Sequence, residues 1–157
     1  MKIILSLTLM VLVILVSNAT LHAQSNGIVT SVSCPQKRQT VKAPKEYLNK
    51  TNPLRKEPRF IKKGKVLANI KAKPIACKQC HGMNGDGKGA ISTNMKPKPR
   101  NFTCNRTMNN ISDGQLFWII KNGSKGTSMP SYSHLSDRKI WQIIHYIRSL
   151  SENVSQS

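Results

Sequence analysis

A chain of 157 residues is long enough for one ordinary domain and too short for two. Only 5% of its residues are aromatic, so a purely protein core would be modest. Lys and Arg number 25 against 6 Asp and Glu, a formal net charge of +19, which bears on solubility, steering and partner choice but not on fold. Charge of this sign suits an acidic protein partner, an anionic membrane surface or nucleic acid.

The N-terminus reads as a signal peptide over residues 1–23. Lys2 supplies a short positive region, and the apolar run from Ile3 to Val16 has the length of a signal core and is short for a membrane span. Small residues then offer cleavage after Ala19 or after Ala23, with an uncleaved anchor as the alternative. The expected location is periplasmic or otherwise exported, soluble after cleavage, in an oxidising compartment where disulfides persist. Export argues against nucleic acid as the partner.

Residues 24–43 are polar and basic without apolar periodicity, and read as an extended or disordered arm containing Cys34. Pro44 to Pro58 carries a turn signal at Asn52-Pro53 and reads as a wrapped surface segment opening the main domain, residues 44–151. A first helix is expected over Arg59–Ile70, with Pro58 at its start and Phe60, Ile61, Leu67 and Ala68 at roughly helical spacing. Gly64 inside it is either a tolerated glycine, costing about 1 kcal/mol against Ala, or the mark of a close helix crossing.

Cys77-Lys78-Gln79-Cys80-His81 reads as a c-type haem attachment site. One turn of helix puts both thiols on one side, where each can add across a vinyl group of the same porphyrin. His81 is then placed to donate a ring nitrogen to the iron. A thioredoxin-like redox pair would not need the histidine. A zinc site would need a second ligand pair, and Cys34 and Cys104 are isolated. Haem is attached to c-type proteins outside the bacterial cytoplasm, so motif and signal peptide agree. The glycine-rich run from Gly82 to Gly89 reads as a tight loop leaving the haem edge, since its spacing is not that of a phosphate loop. Met95 to Phe102 is extended and stiffened by Pro97 and Pro99, so one of its carbonyls is free to accept the Nδ1 proton of His81.

A second helix is expected over Asn109–Asn122, with Ser112 and Gln115 spaced as a capping box and Gly123 at its end. Leu116, Phe117, Ile119 and Ile120 form its apolar face, and Trp118 belongs either to the haem edge or to ordinary core. In the following loop Met129 precedes Pro130. A loop methionine is usually a gap-filler, yet a haem with one histidine needs a sixth ligand or an open site, and His/Met ligation raises the potential. The last helix, Ser136–Ser151, carries a stripe of Ile140, Trp141, Ile143, Ile144, Ile147 and Leu150. Arg148 suits its C-terminal end electrostatically. His134 and His145 read as surface or packing histidines, and residues 152–157 as a tail.

These pieces, in this order, resemble the class I cytochrome c family in its small bacterial monohaem form. The likeness runs from about Pro44 to Ser151. It rests on Gly64-Lys65, the Cys77–Gly82 motif, Asn84–Gly89, Lys98-Pro99-Arg100-Asn101-Phe102, Lys121-Asn122-Gly123, Ser128-Met129-Pro130 and Ile140–Arg148. The resemblance implies an all-α fold of three to five helices around one covalently bound haem c per chain, with the first and last helices crossing at Gly64. It implies His81 as proximal ligand, Met129 as distal ligand and a proline carbonyl near Pro97 or Pro99 supporting His81. It also implies a carrier that moves single electrons between larger complexes rather than an enzyme. The strongly basic N-terminal half departs from the family pattern, and its charge would steer the chain to an acidic redox-partner protein or complex, as a monomer or an oligomer. Cys34 and Cys104 depart from the family pattern. They read as a disulfide tying the arm to the body, as free or intermolecular thiols, or with Cys104 as a thiolate ligand in place of Met129, which would give a sensor or binder of small gases, alone or as a subunit of a larger redox complex.

Overall fold

In the computed structural model the described residues are Cys34, Gln36 and residues 39–152, all within one compact unit spanning residues 31–157. The expected signal peptide, most of the arm and the tail beyond Glu152 lie outside them.

Helical periodicity in the last segment yields the longest element. Of the six α-helices among the described residues, in chain order, α1 is Lys45–Leu48, α2 Pro58–Val66, α3 Lys78–His81, α4 Asn105–Met108, α5 Asp113–Asn122 and α6 Asp137–Glu152. Three of them, α1, α3 and α4, are single turns of four residues. No strand occurs among the described residues, and the fold is all-α. Ile140, Ile143, Ile144 and Ile147 of α6 are buried along one face, each worth about 1.5–3 kcal/mol of transfer free energy.

Helix α2 starts with Pro58 at its first position and passes at Leu67 into a π-helical turn, Leu67–Lys71. The expected helix over Arg59–Ile70 is therefore present, but its last turn is wider. Leu67, Ala68 and Asn69 are the buried residues of that turn. Helix α2 packs mainly on α6. A Cβ at Gly64 would stand 2.0 Å from the backbone oxygen of Gln142. Of the two readings of Gly64, the close crossing is the one found: only a residue without a side chain lets the two backbones meet.

Helix α5 begins one residue after Ser112, whose Oγ accepts the Gln115 backbone N–H at 3.1 Å. The reciprocal half of a capping box is missing. Gln115 instead turns its amide to the arm, where Oε1 accepts from the Ala43 N–H at 2.8 Å and Nε2 donates to the Val41 carbonyl at 3.1 Å. Residues 109–111, expected as helix, form a turn after α4. Arg148 holds that turn: it donates to the Met108 carbonyl at 2.6 Å and pairs with Asp113 at 2.7 Å. It reaches sideways to a neighbouring helix start rather than along its own helix end.

The segment before α2 is wrapped on α6. Asn52 donates from Nδ2 to the Trp141 carbonyl at 2.9 Å, and the buried His145 ring bonds the Leu54 carbonyl through Nε2 at 3.0 Å. His145 is thus a packing histidine tied to backbone.

Candidate functional site

The Cys77–His81 stretch is short because its ends are fixed by other bonds. The Cys77 N–H donates to the Ala68 carbonyl at 2.8 Å, which hangs the start of the motif on the π-helical turn. At the far end Gly82 has φ of +84°, a left-handed conformation that ends α3 directly after His81. Cys77 and Cys80 are both half-buried free thiols on this turn. Burial is the main reason the Cys77 thiol is pushed up to about 11, with its own backbone N–H opposing and the nearby Cys80 adding to the rise. The thiol is therefore protonated at neutral pH.

Both thiols face a cleft of about 830 Å³, counting space open to solvent. His81, Met129, Pro97 and Pro99 line the same cleft. Leu116, Ile119, Ile120 and Ile147 supply apolar wall from α5 and α6. A flat apolar ring bearing two vinyl groups and a central iron fits this donor set: two thiols, an imidazole and a thioether around a greasy cleft. Among the described residues no group of three or more His, Cys, Asp and Glu side chains could hold a bare metal ion, so the zinc alternative finds no second ligand pair.

The ring of His81 is fixed on two sides. It stacks on Phe102, with centroids 4.3 Å apart and planes 15° from parallel. Its Nδ1 lies 2.9 Å from the Arg100 carbonyl oxygen. A carbonyl can only accept, so Nδ1 carries the proton and the lone pair of the neutral ring sits on Nε2. The expected acceptor was a proline carbonyl near Pro97 or Pro99. It is Arg100, because the Pro99 carbonyl is turned away to accept from Gln36 Nε2 at 3.0 Å.

Met129 sits in a loop closed by local bonds. The Ser124 N–H donates to the Met129 carbonyl at 3.2 Å, and the Thr127 Oγ1 accepts the Met129 N–H at 3.2 Å. Three residues on, the buried Tyr132 donates its hydroxyl to the Ile75 carbonyl at 2.7 Å. Burial raises the Tyr132 phenol above its ordinary range, and the neighbouring cysteines add to it. This tyrosine joins the methionine loop to the strand of chain entering the cysteine motif. Sequence reading assigned it no role, although a tyrosine two places past Met129-Pro130 was there to be seen.

Two expected site residues lie elsewhere. Trp118 is half-buried but is not part of the cleft wall. Along α5 it stands roughly 200° from both Leu116 and Ile120, which do line the cleft, at about 100° per residue. Cys104 is bonded to Cys34 across a sequence separation of 70 and lines no part of the cleft. Its thiol is consumed, which removes it as a thiolate ligand and removes the basis of a His/Cys gas sensor.

The cytochrome c family profile matches residues 61–151. The chain belongs to the cytochrome c family. That family is one of haem-based electron-transfer proteins, and its haem is covalently bound. Among solved structures, this cytochrome is similar to a chain of the reducing HAO-like protein complex of Kuenenia stuttgartiensis, at 31% identity and a TM-score of 0.53. The alignment covers 62% of this cytochrome and 46% of that chain. No curated protein matches it.

Proposed function

We propose that this cytochrome is an exported carrier of single electrons with one haem c, held by Cys77 and Cys80 and ligated by His81 and Met129. When bound, the haem supplies an iron that gains or loses one electron. The chain supplies the rest. His81 offers Nε2 because Arg100 holds the proton on Nδ1. Met129 offers a thioether from a loop tied back at Ser124 and Thr127. The apolar wall excludes water, which limits reorganisation when the charge on the iron changes. Were His81 and Met129 both to bind the iron, no coordination position would be left for a substrate, so the reading is a carrier and not an enzyme.

The observation that carries this reading is the convergence of Cys77, Cys80, His81 and Met129 on one apolar cleft. Export is supported by the apolar run near the N-terminus and by the Cys34–Cys104 disulfide, a bond that persists in oxidising compartments. Exposed Lys96, Lys98 and Lys125 adjoin cleft-lining residues. Together with the net charge of +19 they suit an acidic face on a redox protein or complex, and secondarily an anionic membrane surface. The similar chain from a redox protein complex supports a partner of that kind.

Absorption spectroscopy tests the ligand set. The oxidised protein is expected to show the weak far-red band of methionine–iron ligation, and Met129→Ala to lose it and to bind carbon monoxide rapidly when reduced. A wild-type protein that lacks the band and binds carbon monoxide as fast as the variant would sink the proposal.

A further inference from the structure

The carbonyl that holds His81 stands in a stretch without helix or strand, so no ladder of backbone bonds fixes its direction. The Arg100 carbonyl and the Asn101 N–H belong to one peptide unit, and that unit is not among the cis bonds of the described chain. In a planar trans unit the two groups point in opposite directions. The carbonyl is aimed at His81 Nδ1, 2.9 Å away. The N–H donates to Oε1 of Gln36 at 2.8 Å. Nε2 of the same Gln36 donates to the Pro99 carbonyl at 3.0 Å, so one side-chain amide grips the peptide units on both sides of Arg100. Gln36 comes from the arm, two residues from Cys34, whose disulfide to Cys104 brings the arm to this wall. From the same arm, Thr40 accepts from the Arg100 guanidinium at 2.8 Å.

We infer that Gln36 is a positioning residue for the proximal ligand: through the Arg100–Asn101 peptide it aims and polarises the carbonyl that sets how strongly His81 donates to the iron. Gln36 Oε1, the peptide and His81 Nδ1–H form a chain of two hydrogen bonds through one amide, and bonds in such chains strengthen one another. A stronger acceptor at Nδ1 makes the ring a more basic ligand. A more basic ligand favours ferric iron, so the intact chain lowers the reduction potential. The inference rests on His81 being the iron's proximal ligand.

The test uses the holoprotein with Gln36→Met, which keeps the side-chain length and loses both bonds. Gln115→Met is the control, since it releases the other end of the arm at Ala43 and Val41 without touching residues 99–101. Two readouts are taken: solvent exchange of the His81 Nδ1 proton, followed by NMR of the reduced protein, and the midpoint potential. Gln36→Met is expected to speed the exchange at least several-fold and to shift the potential upward, while Gln115→Met leaves both at wild-type values. Unchanged exchange and potential in Gln36→Met would overturn the inference, as would equal shifts in both variants, which would make the arm a mere tether. Failure of the ligand assignment looks different: the wild-type protein would then show no haem-shifted Nδ1 proton for His81.

Discussion

Helix α6 carries a row of buried isoleucines, and it meets helix α2 at a glycine that lets one backbone touch the other. The wall of the haem cleft from Gly82 to Cys104 contains no helix or strand. Its shape comes from a few directed bonds: the Gln36 amide on either side of Arg100, Asn101 Oδ1 accepting from the Thr103 N–H, and the Phe102 backbone N–H donating to the Gly85 carbonyl. The contrast is between a region held by apolar area and one held by a few directed bonds and a cross-link. Apolar packing tolerates small adjustments at many contacts, whereas a wall of single bonds depends on each of them. A redox site gains from the second kind, because directed bonds aim individual groups such as the Arg100 carbonyl.

Removing the cross-link should break the loop wall first. Cys34→Ser with Cys104→Ser opens a loop with a sequence separation of 70. Loop-closure entropy sets the expected loss of stability at about 4 kcal/mol. Urea unfolding of the holoprotein checks it, and amide exchange should rise in residues 99–104 before it rises in α6. A loss under about 1 kcal/mol would place the arm outside the cooperative unit.

At the crossing, Gly64→Ala is the corresponding break. The added Cβ meets the oxygen and carbon of the Gln142 carbonyl at 2.0 and 2.6 Å, and backbone cannot swing aside as a side-chain tip can. The helices must part, at an expected cost of about 3 kcal/mol, toward the upper end for overpacking. Here the amide exchange should rise in α2 and α6 with the haem spectrum unchanged. An unshifted urea midpoint would show that the crossing has slack.

The same contrast explains what could be read in advance. The α6 stripe and the Cys77–His81 motif are local patterns, and spacing alone reveals them. Gly64 left two readings open because its deciding contact, Gln142, lies far along the chain. Arg100 was missed for another reason: an extended stretch has several carbonyls, and backbone torsions decide which one faces the ring. Gln115 fits a capping box by spacing, but its amide is used by an arm 72 residues earlier.

Tyr132 joins the two kinds of region, being a buried core side chain whose hydroxyl donates a directed bond to the Ile75 carbonyl. Tyr132→Phe keeps the packing and leaves that carbonyl without this donor, at an expected cost of about 1 kcal/mol near neutral pH. Burial disfavours the phenolate, so the phenol titrates higher in the folded protein than the ordinary value of about 10 in the unfolded chain. Below about pH 10 both states hold the proton and the phenol adds no pH dependence. Above it the unfolded chain loses the proton first, and wild-type stability falls until the folded phenol also ionises. The phenylalanine variant lacks this fall, so the stability gap between the two proteins should narrow as pH climbs past about 10. Urea unfolding of both at pH 8 and pH 11 measures it. A gap that stays constant would mean that Tyr132 reaches solvent when it ionises, and that the methionine loop opens more readily than its bonds suggest.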